Sequence, residues 1–240
     1  MDKAAETSLL VRSLVTGYGK KQVLNHVTVH VGSRELVAII GHNGSGKSTL
    51  LRSIYGLLPS WEGEICFGER NLYGTSARER LKAGLAYLPQ GNRVFSGLTV
   101  QENLRAACAC LGRDANVPDT IDQAIAPFPQ LQKRMGQKAG SLSGGERQML
   151  AIARSLLLSP RMILLDEPSL GLAAPILRSV FDNIKSLSQR NGIACLIVEQ
   201  NVREVLRIAD RVYVLKNGEV TYKGPPDPLQ DLAKLREAYF

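Results

Sequence analysis

Side chains that bind transition metals are scarce in this 240-residue chain, which has three histidines and four cysteines and no paired C-x-x-C unit. His26, His30 and His42 are isolated, and Cys66, Cys108, Cys110 and Cys195 are scattered. No transition-metal site is therefore expected. Cys108 and Cys110 lie two apart in a predicted helix and cannot face the same way. All four cysteines are expected as reduced, buried thiols. A membrane-crossing run is also lacking, since no stretch approaches the roughly 18 apolar residues required. Met1 to Ser8 mix acids and bases without an apolar stretch, so no secretory signal is expected and the cytosol is the expected compartment. No internal repeat is present, which points to a single unit.

What remains is ordinary globular composition, 44% hydrophobic and 22% charged, enough to bury a substantial core. The net charge of +8 comes from bases dispersed along the chain. It reads as a solvated face, with some preference for anionic lipid headgroups, and nucleic acid is not the expected partner.

The hydrophobic pattern predicts strands at Leu9 to Val15 and Val23 to Val31, joined by a turn at Gly17-Tyr18-Gly19. Leu36 to Ile40, Met162 to Leu165 and Ala194 to Val198 are short apolar runs, as strands buried on both faces require. A fourth short strand, Leu85 to Leu88, ends at Pro89-Gln90. Helices are predicted from Lys47 to about Tyr55, from Thr99 (with capping-box spacing to Glu102) through Ala109, from Gly144 to Leu158, and around Val202 to Ile208. Ile176, Leu177, Val180, Phe181, Ile184 and Leu187 mark one apolar helix face. Val212 to Leu215 and Val220 to Tyr222 flank Asn217-Gly218, a hairpin signal. This alternation implies an α/β fold with a largely parallel sheet, the two chain ends contributing antiparallel strands. The expected organisation is a core of 8–90 and 141–224, a smaller helical subdomain inserted at 91–140, and a C-terminal tail of 225–240.

The segment Gly41-His42-Asn43-Gly44-Ser45-Gly46-Lys47-Ser48, continued by Thr49, satisfies G-x-x-x-x-G-K-[ST] between a predicted buried strand and a helix. Its glycines let backbone N–H groups turn toward a phosphate at a helix N-terminus. Lys47 is expected to reach the β- and γ-phosphates of ATP, and the Ser48 hydroxyl to coordinate Mg2+. Asp166 ends a buried strand, where its carboxylate holds magnesium through a water. Glu167, just beyond, is placed to accept a proton from the attacking water.

Those elements are shared by many ATPases and kinases. Leu142-Ser143-Gly144-Gly145-Glu146-Arg147-Gln148 is not, since a given seven-residue string arises by chance on the order of once in 10⁹ positions. It resembles the signature of the ABC ATPase family, and the resemblance covers nearly the whole chain. It implies a RecA-like P-loop NTPase core with N-terminal antiparallel β strands and an inserted helical subdomain. It also implies that Ser143, Gly144 and Gly145 contact the γ-phosphate held by an opposite subunit. One chain then carries two incomplete half-sites and is expected to dimerise with a second ABC ATPase subunit, itself or a paralogue.

By the same resemblance, Tyr18 stacks on adenine, the alternative being a half-buried turn tyrosine. Gln90 is the hinge glutamine that touches magnesium or water and leads into the subdomain gripping transmembrane permease subunits. Ser169-Leu170-Gly171-Leu172 is the loop crossing the dimer interface. Two positions depart from the pattern: Ala173 stands where aspartate is usual, and Gln200 replaces the switch histidine. Gln200 is expected either to give the γ-phosphate only a neutral hydrogen bond, making this site slow, or to be a plain surface residue. With Leu88-Pro89-Gln90-Gly91, Val198-Glu199-Gln200-Asn201 and Leu235-Arg236-Glu237-Ala238-Tyr239, the chain is similar to the ATP-binding component of branched-chain amino acid importers. Urea and short-chain amide importers are close relatives. The expected place is the cytoplasmic side of the inner membrane, held through partners. The competing expectation is an ABC ATPase working on a soluble scaffold or on nucleic acid.

Overall fold

The computed structural model describes residues 7–91, 93–109 and 116–239. Ten strands among these residues form two sheets. Strands β1 (Thr7–Tyr18), β2 (Lys21–Gly32), β4 (Glu62–Phe67) and β5 (Arg70–Asn71) make an antiparallel sheet in the order β2-β1-β4-β5. The second sheet also takes in β3 (Leu36–Ile40), β6 (Leu85–Leu88), β7 (Met162–Asp166), β8 (Ala194–Glu199), β9 (Arg211–Lys216) and β10 (Glu219–Gly224). Its order is β10-β9-β3-β8-β7-β6, parallel throughout except for the edge hairpin β9-β10.

Nine helices among the described residues complete the fold. They are α1 (Lys47–Tyr55), α2 (Ala77–Lys82), α3 (Val100–Cys108), α4 (Val117–Ile125), α5 (Pro129–Gln132), α6 (Gly144–Leu156), α7 (Ala174–Asn191), α8 (Val202–Ile208) and α9 (Leu232–Tyr239).

The three apolar runs are buried along their whole length because successive side chains serve opposite cores. Val37, Ile39, Met162, Leu164, Leu196 and Val198 point into a core shared with α1 and the antiparallel sheet. Leu36, Ala38, Ile40, Ile163, Leu165, Cys195 and Ile197 point into the other core, under α3 to α8. Fully burying each large aliphatic contributes about 1.5–3 kcal/mol.

The N-terminal strands are antiparallel as expected, and they form a separate layer packed over the parallel sheet. Several other expectations need correction. Gly17 and Tyr18 continue β1, so the turn falls at Gly19-Lys20. Helix α6 stops at Leu156, two residues short of Leu158, and α3 stops at Cys108, one short of Ala109. Strands β4 and β5 and helix α2 were not anticipated. Cys108 and Cys195 are buried thiols and Cys66 is half-buried, whereas Cys110 lies outside the described residues. Burial pushes the Cys195 thiol up to about 12, leaving it chemically quiet.

Candidate nucleotide site

Strands β3, β8, β7 and β6 run parallel and adjacent, so their carboxyl ends open on one edge of the sheet, where open α/β sheets hold ligands. The chain leaves β3 into Gly41, β8 into Gln200, β7 into Glu167 and β6 toward Gln90. Register keeps these ends level: Ile40 pairs with Glu199, Asp166 with Val198 and Leu88 with Leu165. The four segments that chemistry singled out in the sequence thus meet although 159 positions separate Gly41 from Gln200 in the chain.

Helix α1 begins at the phosphate loop with Gly46 as its N-cap and no side chain bonded to its first amides. Those amides have no intrahelical acceptor and remain directed outward, with the positive end of the helix dipole, as an anion site requires. Gly46 is obligatory on two counts. Its φ of 106° is in the left-handed region, and an added Cβ would sit 2.5 Å from Leu24 Cδ2.

Lys47 is buried and its ammonium donates to the carbonyls of Gly41 (2.8 Å) and His42 (2.9 Å). Burial lowers its pKa, while Glu167, Asp166 and Glu199 pull the other way. Ser48 Oγ donates to Asp166 Oδ1 at 2.8 Å, and the Tyr87 hydroxyl donates to Asp166 Oδ2 at 2.9 Å. Burial raises the Tyr87 pKa well beyond the usual phenol value, so its hydroxyl keeps the proton that it donates to Asp166 while its oxygen accepts from Arg52.

Glu167 adopts a left-handed backbone (φ 46°), a strained conformation for a non-glycine residue that recurs at functional sites. Its carboxylate is held between two amides: Gln90 Nε2 donates to Oε2 at 2.8 Å and Gln200 Nε2 to Oε1 at 2.6 Å. The two glutamines that the sequence placed near the γ-phosphate and magnesium are therefore partners of the candidate base. A cavity of about 490 Å³ is lined by Tyr18, Asn43, Gly44, Gly46, Lys47, Ser48, Thr49, Gln90, Glu167 and Gln200. Tyr18 is about half exposed, its hydroxyl accepting from Arg52 (3.1 Å) and lying 3.5 Å from Thr49 Oγ1. Its ring is on the rim of that cavity. Gly41, His42, Ser45 and Asp166 do not line it.

Ser143, Gly144 and Gly145 lie outside this cavity, at the start of α6. Ser143 forms a capping box with Glu146: its Oγ accepts from the Glu146 N–H (3.3 Å), its own N–H donates to the Glu146 carboxylate (2.8 Å), and its hydroxyl bonds the same carboxylate. Gly145 permits the close packing of α6 on α7, because a Cβ there would come within 2.1 Å of Ile176 Cγ2.

Glu199 is a functional candidate that sequence reading noted only as part of a string. It is fully buried and accepts four hydrogen bonds: from Ser169 N–H (2.9 Å), Ser169 Oγ (2.8 Å), Gln200 N–H (3.0 Å) and Asn201 N–H (3.3 Å). Burial raises its pKa and those donors oppose the rise. It ties the Ser169 loop to Gln200. The sequence signal was an acid at the end of an otherwise apolar strand.

Among the described residues no group of three or more His, Cys, Asp or Glu is arranged to hold a metal ion. The Ser48–Asp166 pair instead supplies two hard oxygen donors beside the phosphate loop, which suits an ion that completes its shell with water and substrate phosphates.

A family model described as "ABC transporter" matches residues 24–170. The chain is 42% identical to the high-affinity branched-chain amino acid transport ATP-binding protein BraG of Pseudomonas aeruginosa, over 93% of this chain and 95% of that protein. It is 39% identical to a probable branched-chain amino acid transport ATP-binding protein, LivF, of Archaeoglobus fulgidus, over 93% and 94%. Among solved structures it superimposes on the ADP conformation of MJ1267, an ATP-binding cassette of an ABC transporter, with a TM-score of 0.85, 29% identity and coverage of 96% and 97%. The dimeric post-hydrolysis cassette MJ0796, bound to ADP and Pi, matches with a TM-score of 0.77, 25% identity and coverage of 91% and 98%. With the phosphate loop, the Asp166-Glu167 pair and the Ser143 helix all in place, this chain belongs to the ABC transporter family, whose cassettes hydrolyse ATP to power transport.

Proposed function

We propose that this cassette powers the import of branched-chain amino acids, as one of two ATP-clamping subunits attached to transmembrane permeases on the cytoplasmic side of the membrane. The observation that carries the reading is the near full-length similarity to BraG and LivF, both branched-chain amino acid transport ATP-binding proteins. The dimeric state of MJ0796 supports a paired arrangement. No helix among the described residues is long and apolar enough to cross a membrane. In this reading attachment runs through the permease subunits, with the helical subdomain of 91–140 as the contact.

In this reading Tyr18 stacks on adenine and the amides from Gly44 to Thr49 cradle the phosphates. Lys47 exchanges the carbonyls of Gly41 and His42 for the β- and γ-phosphates. Ser48 and Asp166 would hold Mg2+, with Gln90 nearby, and the ion would neutralise phosphate charge. Gln90 and Gln200 hold the Glu167 carboxylate toward the attacking water. Glu167 takes that water's proton as its oxygen bonds to the γ-phosphorus and the bridging bond to ADP breaks, leaving ADP and phosphate. Ser143 and the amides of Gly144 and Gly145 close on the γ-phosphate of the opposite subunit.

The test is purification of the intact complex from native membranes, followed by reconstitution in vesicles. Co-purifying permease subunits and a second ATPase, with ATP-dependent leucine uptake, are the expected result. Recovery with a soluble scaffold, or tight DNA or RNA binding at about 0.15 M salt, would overturn the importer assignment.

A further inference from the structure

The start of the phosphate loop is gripped by the far end of the chain. Helix α9 lies against the edge hairpin: Leu235, Ala238 and Tyr239 pack on the larger core, and Thr221 Oγ1 of β10 donates to the Ala238 carbonyl at 2.8 Å. This anchors the last turn and sends the Tyr239 ring edge-on to His42, with centroids 4.3 Å apart and planes at 69°. That is the edge-to-face geometry in which aromatic pairs attract. The backbone of Gly41 hydrogen-bonds the Tyr239 hydroxyl. From behind, Gly41 approaches the Leu215 carbonyl so closely that an added Cβ would be 2.1 Å from it. The same two residues, Gly41 and His42, offer the carbonyls on which Lys47 rests. Releasing Lys47 to a nucleotide therefore removes two bonds that shape the loop, while the Tyr239 contacts and the Leu215 packing stay.

We propose that Tyr239 is a positioning residue of the ATP site, holding Gly41-His42 in the phosphate-binding shape when Lys47 leaves them for the nucleotide. The C-terminal helix is then a working part of the nucleotide pocket. The inference rests on the cassette reading above, because the loop must bind ATP for its shape to matter.

The experiment measures ATP affinity and steady-state kinetics of the full chain and of Tyr239→Ala, Tyr239→Phe, His42→Ala and the double alanine variant, with thermal unfolding of each. Tyr239→Ala is expected to weaken ATP binding about five- to tenfold, the loss of one ring contact and one hydrogen bond. KM should rise with kcat little changed, and Tm should stay near that of the parent. Tyr239→Phe keeps the ring and should recover most of the affinity. The double variant should bind no worse than Tyr239→Ala, since both changes break one contact. Parental affinity in Tyr239→Ala would overturn the proposal, as would additive losses in the double variant. An affinity loss matched by a large fall in Tm in both Tyr239 variants would equally overturn it, reducing Tyr239 to a packing residue. A parent chain that binds no ATP would instead sink the cassette reading itself.

Discussion

Glu167→Gln turns one carboxylate oxygen into an amide nitrogen at the point where two amide donors converge. In the parent, Gln90 donates to one oxygen and Gln200 to the other, at 2.8 and 2.6 Å. In the variant only one oxygen accepts, so one glutamine must rotate its own amide to offer oxygen to the new NH2 group. Because Gln90 and Gln200 each carry both a donor and an acceptor, that rotation restores the contact in neutral form. The change is from a bond to a charged group, about 1.5–3 kcal/mol, to a neutral one of about 1 kcal/mol. At about 2–4 °C per kcal/mol for a chain this size, Tm should fall by only a few degrees. The loss of a general base is larger, ~10²–10⁴-fold in turnover, or roughly 2.7–5.4 kcal/mol of barrier. The chemistry, not the fold, is what the substitution removes. ATP binding should persist, and Ser143 and Gly145 should still close on the γ-phosphate, so a lasting ATP-dependent dimer should accumulate. Phosphate release in the assembled complex and sedimentation with and without ATP test both halves. A turnover within about threefold of the parent would remove Glu167 from the base role, since even weak general-base catalysis exceeds that.

The clamp on Glu167 predicts that Gln200→Ala slows turnover by no more than about tenfold, the worth of one hydrogen bond. Gln200→His should add a limb near pH 6.5 to the pH–rate curve, absent from the parent at that position; three superimposable curves would refute any role for residue 200. For Glu199, burial raises the folded-state pKa above the unfolded value. Its contribution to stability is therefore fully present below the unfolded pKa and is lost as pH rises through the folded one. Urea unfolding should show the parent gaining on Glu199→Gln as pH falls from 7 toward 5, and parallel curves would contradict this. Gly145→Ala drives a methyl into Ile176 and should destabilise by about 1–3 kcal/mol, with ATP binding to the isolated chain retained; an unchanged Tm would show that α6 and α7 have room to spare.

What could be read from the sequence was whatever is encoded locally. Leu36 to Ile40 declares a doubly buried strand because each of its five residues is apolar, and the glycine-rich loop announces its own turn chemistry. The Thr99 capping box likewise declared a helix start. The same box opens α2 at Ser76 and Glu79, but its body, Ala-Arg-Glu-Arg-Leu-Lys, carries no apolar stripe to support it. What justifies α2 is Arg80, buried by donating to the carbonyls of Ser53, Ile54 and Leu72, a partnership distant in sequence. Strand β5 is two residues long, too short for any periodicity. The separation of the antiparallel strands into their own layer depends on β4 pairing with β1 across some fifty residues, and no local signal records that. At the site, the residue types and their strand ends were legible. The clamp of two glutamines on Glu167 and the four-donor cage of Glu199 were not, because each is made by loops that only the fold brings together.

The edge hairpin has a consequence for how the pocket measures its ligand. Gly218, in the turn between β9 and β10, donates to the Ser45 carbonyl of the phosphate loop at 3.0 Å and accepts from the Asn25 amide of β2 at 2.8 Å. Its Cα lies so near the Val23 carbonyl that a Cβ would be 2.0 Å away. Strand β2 pairs with β1, which carries Tyr18, so one glycine rivets the strand of Tyr18 to the phosphate loop, the two parts that the proposed function sets against base and phosphates. The span between them is fixed by backbone alone, like the jaws of a gauge set once and locked. Lengthening that turn by a residue would spread the jaws and alter which nucleotides fit, without altering any atom that touches one.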